Sequence, residues 1–212
     1  MQLIITEDGS HSLFSPQVEE CYHSQYGAIQ ESEHIFIQAA WKQCSKTEIN
    51  ILEIGFGTGL NAFLTLVEAE KEKKKVIYTT IELYPVDITT ASELNFAGQV
   101  DSAKTEEFIT LHTSEWNKTI EITPNFQLKK IKADFSKMDL SGMYDLIYFD
   151  AFSPEKQPEM WTQKRFEMLY AHTNAGGIMT TYCSKGVVRR AMQAAGYQVE
   201  RLPGPPGKRQ IL

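Results

Sequence analysis

A chain of 212 residues has room for one three-layer core and a short appended element. Apolar residues make up 42% and charged residues 23%, an ordinary globular balance, and no apolar run approaches the roughly 20 residues that span a bilayer. A net charge of −6 excludes nucleic-acid binding spread over the whole surface, although not on one face. From Lys185 onward, Lys185, Arg189, Arg190, Arg201, Lys208 and Arg209 stand against Glu200 alone. That local net of +5 leaves −11 for the rest of the chain. Lys129, Lys130 and Lys132 add a smaller basic cluster that is expected to help attract a polyanion.

In chain order, the first element is a β-hairpin. Leu3–Thr6 and His11–Phe14 flank Glu7-Asp-Gly-Ser10, whose Asp-Gly suits a tight turn. Residues 31–43 read as a helix, with Ile35, Phe36, Ala39 and Ala40 on one face. Residues 1–45 thus form an N-terminal extension, and residues 46–212 the core. From Ile49 strands and helices alternate: a strand at 49–54, a glycine loop, a helix at 60–72 and a strand at 76–81 closed by Glu82. Pro85 can open a helix because its missing N–H costs nothing there. A less regular stretch at 98–126 holds a short helix and the start of a strand. Strands follow at 126–133 and 144–149, a helix at 160–172, a strand at 177–182 and a helix at 187–195. Residues 197–202 and 208–212 read as closing strands. This α/β order predicts a mostly parallel sheet with helices on both faces.

Ligands on such sheets sit beyond the carboxyl ends of the strands. The residues there are Gly55, Gly57 and Gly59, then Glu82, Asp134 and Asp150. The GxGxG loop lets a backbone approach a ligand closely at the positive end of the next helix. Nicotinamide and flavin enzymes use G-x-G-x-x-G, and the sixth position here is Leu60. With Glu53 two residues before the first glycine, the loop favours a Rossmann-like class I S-adenosylmethionine-dependent methyltransferase, and Glu53 and Asp150 join the three glycines as candidate cofactor contacts. Glu82 can take both ribose hydroxyls, which suits S-adenosylmethionine or NAD and disfavours NADP. Asp134 is placed to accept from an adenine amino group, with Phe135 beside the ring. Asp150 ends an apolar strand and opens a loop rich in aromatics and prolines. Its carboxylate can fix an acceptor amine and take its proton, while Phe152 or Trp161 packs on a base ring.

Cys21, Cys44 and Cys183 are odd in number and form no CxxC pair, and the five histidines show no ligand spacing. No metal is expected, and a reducing cytoplasm is.

These motifs carry a resemblance. Thr6-Glu-Asp-Gly-Ser10, Tyr22-His-Ser24 with Gly27-Ala28 and Glu31-Ser32, the stretch from Glu53 to Asn61, Asp150-Ala-Phe-Ser-Pro154 with Pro158-Glu-Met-Trp161, and Pro203-Gly-Pro-Pro-Gly-Lys-Arg209 are the residues concerned. Through them the chain resembles the tRNA 5-methylaminomethyl-2-thiouridine methyltransferase family, which comprises stand-alone MnmD-type proteins and the methyltransferase half of bifunctional MnmC. The glycine loop is generic, whereas the aspartate loop and the terminal Gly-Lys-Arg are specific to the family. The resemblance implies methylation of the primary amine of 5-aminomethyl-(2-thio)uridine at the tRNA wobble position, with Asp150 near that amine. It implies tRNA, through its anticodon region, as the partner. The flavin-dependent oxidase half has no room in 212 residues, and the chain stops directly after its basic segment, where the family pattern carries a final strand.

Tyr22, Ser24 and Glu31 precede the glycine loop, where a cap over the cofactor is expected, so they are candidate cofactor or substrate contacts. His23 reads as structural. Lys208 and Arg209 are candidate phosphate contacts. Two other classes stay open: a methyltransferase of small-molecule or protein amines, and an NAD-dependent oxidoreductase or silent Rossmann module. Leu60 and the lack of a Tyr-x-x-x-Lys pair speak against the last of these.

Overall fold

The computed structural model describes all residues 1–212. Strands β1 (Gln2–Ile5), β2 (His11–Ser15) and β3 (Glu20–Cys21) form an antiparallel sheet, one strand more than the hairpin expected from sequence. The turn between β1 and β2 has a structural task. Ser10 Oγ accepts from the N–H groups of Ala28 and Ile29, and Asp8 Oδ2 accepts from Gln30 N, so the turn satisfies the free end of helix α1 (Ala28–Ser32). The single helix expected over 31–43 is broken. A π-helical segment (Glu33–Gln38) follows α1, and a 3-10 turn (Trp41–Gln43) follows that. The broken path still buries Ile35, Phe36, Ile37 and Trp41.

The core runs β4 (Glu48–Ile54), α2 (Leu60–Glu72), β5 (Lys75–Glu82), α3 (Ile88–Ser92), α4 (Phe96–Val100), α5 (Thr105–Thr113), β6 (Thr119–Thr123), β7 (Phe126–Lys132), β8 (Tyr144–Phe149), α6 (Gln163–Ala171), β9 (Thr173–Thr180) and α7 (Gly186–Ala194). α3 starts three residues after Pro85 and is capped by Asp87, whose carboxylate accepts from Thr90 N. The main sheet has the order β6-β7-β5-β4-β8-β9, parallel except for β6 at the edge.

The period-2 geometry of the strands divides the core in two. On β4, Ile49 and Ile51 face one apolar cluster with Phe36, Phe63 and Tyr78, while Leu52 and Ile54 face a second with Phe149 and Phe166. β8 alternates likewise, Leu146 and Tyr148 against Ile147 and Phe149, and all six of its residues are buried. Burial on both faces is why these strands read as near-continuous apolar runs.

The chain end departs from expectation. The two closing strands are two residues each, β10 (Leu202–Pro203) and β11 (Gln210–Ile211), and they pair with each other. Prolines 203, 205 and 206 withhold the N–H groups that a longer ladder needs. Leu212 nevertheless exchanges both backbone hydrogen bonds with Thr181, anchoring the end beside β9. No helix is long and apolar enough to cross a membrane.

Candidate active site

The sheet order reverses direction at β4: the chain goes to β5 on one side and later to β8 on the other. A cavity of about 550 Å³ opens there, at the carboxyl ends of the strands. Gly55 and Asp150 meet at this point, because Asp150 N donates to Ile54 O and Gly55 N donates to Ile81 O. The backbones are so close that a Cβ on Gly55 would lie 2.6 Å from Asp150 O. Gly57 has φ +50°, and its Cβ would lie 2.9 Å from the ring of Tyr22. Gly59 ends the loop immediately before α2.

Glu82 braces this loop from the tip of β5. Its Oε2 accepts from Gly57 N at 3.0 Å and its Oε1 from Tyr84 N at 2.8 Å. Each oxygen keeps a lone pair for a ligand hydroxyl. Phe135 lies on the cavity wall beside Asp134. The Asp134 carboxylate is turned toward its own loop, with Oδ1 accepting from Ser136 N and Oγ, and Oδ2 2.9 Å from Lys137 Nζ.

Asp150 lines the cavity next to the glycine loop. Asn61, at the second position of α2, donates Nδ2 to its Oδ2 at 2.8 Å. Burial pushes the Asp150 carboxyl up to about 7; the Asn61 hydrogen bond and the Lys208 charge oppose that rise, and Glu31 adds to it.

The N-terminal extension closes the cavity and ties down two loops. Tyr22 packs edge-on against Phe152 at 5.0 Å between centroids. Glu20 accepts from Ser153 N and Oγ, and Glu19 pairs with Lys156, so β3 and its turn hold the loop after Asp150. Ser24 N donates to Glu31 Oε2 at 2.8 Å. Glu31 Oε1 lies 3.1 Å from Lys208 Nζ, and His34 bonds to Pro203 O, so α1 and the segment after it hold the C-terminal loop. His23 is buried, its Nε2 2.6 Å from Thr58 Oγ1, and burial lowers it to about 4, in keeping with a structural neutral imidazole.

Four expectations need correction. Glu53 does not line the cavity; it is fully buried beneath it, and desolvation lifts its carboxyl to about 8. Trp161 is buried too: Nε1 donates to Phe152 O, and the ring packs 4.8 Å from Phe149. It supports Phe152 from below and has no open face for a base. Lys208 points into the cavity, paired with Glu31 and 4.9 Å above the Tyr182 ring, while Arg209 is exposed outside it. Lys130 is 1% exposed, so it cannot meet a phosphate. It donates to His112 O and lies 4.7 Å over Trp116 and 5.6 Å over Phe56, and burial lowers it to about 8. His112 in turn bonds Thr58 O, bracing the glycine loop from behind.

Sequence reasoning missed Asn61, Tyr182 and Glu20. Asn61 is a polar residue amid Leu60, Phe63 and Leu64 on a helix face turned to the core, a signal that was present. Tyr182 follows the end of β9, so the logic of strand ends reaches it. Glu20 had no local signal, since only the tertiary fold brings it to Ser153.

The site suits S-adenosylmethionine on structural grounds. The cavity volume falls within the range of small-molecule sites, a left-handed glycine loop opens a 13-residue helix, and an acidic residue ends the adjacent strand. The glycine loop, Glu82 and Phe135 can hold the nucleoside end, and the positive end of α2 suits a carboxylate.

Comparison with known proteins agrees. The chain is 29% identical over 216 residues to the tRNA 5-methylaminomethyl-2-thiouridine biosynthesis bifunctional protein MnmC of Leptospira interrogans, which covers 93% of this chain and 33% of that protein. It is 28% identical over 225 residues to the protein of the same name from a Marinomonas species, covering 97% and 32%. The chain therefore spans about a third of the length of these curated relatives. The crystal structure of MNMC2 from Aquifex aeolicus superposes with a TM-score of 0.78 at 25% identity, covering 99% of this chain and 68% of that one. A family described as S-adenosyl-L-methionine-dependent methyltransferase matches residues 97–212, more than half of the sequence, and this chain belongs to that family.

Proposed function

We propose that this methyltransferase methylates the primary amine of 5-aminomethyl-(2-thio)uridine at the wobble position of tRNA, giving 5-methylaminomethyl-(2-thio)uridine. The observation that carries the reading is the Asp150 carboxylate, which shares one cavity with the glycine loop. The names of the MnmC relatives support the acceptor, and the exposed Arg209 with the basic C-terminal region supports a polyanionic partner.

S-adenosylmethionine, when bound, would supply an electrophilic methyl group on a sulfonium centre, the methyl–sulfur bond breaking so that S-adenosylhomocysteine leaves as a neutral thioether. The glycine loop and Glu82 would hold the cofactor, with Phe135 on the wall of its nucleoside end, and Asp134 would meet an adenine amino group only by sharing the oxygens that now bond Ser136 and Lys137. Asp150 Oδ1, which makes no hydrogen bond within the protein, accepts an N–H of the acceptor amine and aims its lone pair. As the new N–C bond forms, the amine sheds a proton, and a carboxylate that titrates near neutrality can take it. Phe152, backed by Tyr22 and Trp161, gives the acceptor base an apolar wall. Residues 1–45 act as the cap over this site on the 46–212 core. A role on tRNA assigns the protein to the cytoplasm.

Incubation of the purified chain with S-adenosylmethionine and tRNA carrying the aminomethyl nucleoside, followed by nucleoside mass analysis, tests the reading. Conversion to the methylaminomethyl nucleoside is expected. Methylation of free polyamines or peptides, with no tRNA product, overturns it.

A further inference from the structure

Beneath Asp150 lies a polar group that the proposed reaction does not use. Glu53 is fully buried on β4, on the sheet face that packs against α2. Its register partners are Thr80 on β5 and Tyr148 on β8, and Tyr78 lies two residues before Thr80. No hydrogen bond of good geometry reaches either Glu53 oxygen and no cation is paired with it, while Thr80, Asn61 and Tyr78 stand as its polar neighbours. A buried carboxyl without a cation favours the neutral acid, since ionising it there forfeits hydration that neutral neighbours replace only in part. The neutral acid is a donor. Asn61 adjoins Glu53, is 3% exposed, and has its Oδ1 buried with no donor bound to it. The other end of the same amide, Nδ2, holds Asp150 Oδ2 at 2.8 Å.

We propose that Glu53 and Asn61 act in series as positioning residues for Asp150. The Glu53 acid donates toward Asn61 Oδ1 and thereby fixes which end of the amide faces Asp150. The Asn61 N–H then pins Oδ2 and leaves Oδ1 toward the acceptor. An Asn amide is otherwise free to present either end, and its carbonyl facing Asp150 would repel the carboxylate. The arrangement also explains an acidic residue at a position with no access to the cavity. This rests on the reading of Asp150 given above.

Other charged or titratable groups face the pair. Asp150 meets Glu31 from α1, Lys208 from the C-terminal loop and Tyr182 after β9; Glu53 meets Tyr78 on β5 and Tyr148 on β8. The test therefore reads Asp150 directly. Carboxyl-carbon NMR titration of the cofactor-free protein, with Asp150→Asn for assignment, gives its midpoint in each variant. Asn61→Ala removes a hydrogen bond to an ionised group and is expected to raise the midpoint by about 1–2 pH units. Glu53→Gln keeps a neutral donor and should leave the midpoint unchanged, whereas Glu53→Leu removes the donor and should raise it. An unchanged midpoint in Asn61→Ala, or equal midpoints in the Gln and Leu variants, overturns the coupling. If Glu53→Leu does not fold, a Gln variant whose midpoint moves as far as that of Asn61→Ala overturns it equally. The pH profile of methyl transfer should follow these midpoints. The expected titration pattern in a protein that never methylates the tRNA overturns the proposed reaction and not the coupling.

Discussion

Lys208 directs its ammonium to within 3.1 Å of Glu31 Oε1 inside the cavity, while Arg209, the next residue, stays exposed. Two adjacent cations thus have separate tasks. Lys208→Met should move the alkaline rise of kcat/KM to higher pH, because its charge helps keep Asp150 ionised and its loss leaves Glu31 unpaired. The salt dependence of tRNA binding should not change. Arg209→Ala should flatten that salt dependence by about 0.7–0.9 in slope and leave the pH profile in place. Equal salt slopes for wild type and Arg209→Ala would remove Arg209 from the tRNA interface.

Gly57→Val should abolish S-adenosylmethionine binding as measured by calorimetry. The backbone at φ +50° disfavours a β-branched residue, and a Cβ would meet Tyr22 at 2.9 Å. The obstruction comes from the cap as well as from the cofactor. Gly57→Ala should therefore also bind poorly, and wild-type affinity in either variant would show that the cap yields.

Asp150→Ala should lower turnover by about 10²–10⁴-fold with little change in cofactor affinity. In the wild type, kcat/KM should climb with pH through about 7, where the carboxyl loses its proton. Full activity in the Ala variant would reduce Asp150 to part of the loop backbone.

Glu53 has a raised carboxyl, about 8 in the folded protein against an unfolded value near 4.3. Between those values the folded state binds more protons than the unfolded state, so this group makes stability fall as pH rises. Its contribution is fully present below about pH 4 and lost as pH passes 8. Glu53→Gln should flatten the dependence of Tm on pH between 5 and 8, and identical slopes in the two proteins would show that Glu53 is ionised when folded.

Trp161→Ala should cost about 3–5 kcal/mol in denaturant unfolding, as expected for a buried indole. Substrate KM should change only through a loosened Phe152. Unchanged stability with a large rise in KM would return Trp161 to the acceptor wall.

The sequence by itself determined the alternation of strands and helices, because burial on both sheet faces leaves apolar runs and the turns between them need particular residues. It also located Gly55, Gly57, Gly59, Glu82 and Asp150, since these follow strand ends and strand ends are local events. Only the tertiary structure decided where side chains on the extension and the C-terminal loop point. Nothing near Lys208 in sequence announces Glu31, and nothing near Trp161 announces that Phe152 O would take its N–H. Lys130 looked like one of three surface lysines, yet strand alternation turns it inward between Phe56 and Trp116. Glu53 lies in the glycine motif and resembles a ligand contact, but the pleat turns it to the sheet face it shares with Tyr148 and Thr80, outside the cavity lining. Local pattern fixes backbone path, whereas contact between distant segments depends on how the layers pack, and that is where the pairing of charges and the protonation of buried acids are set.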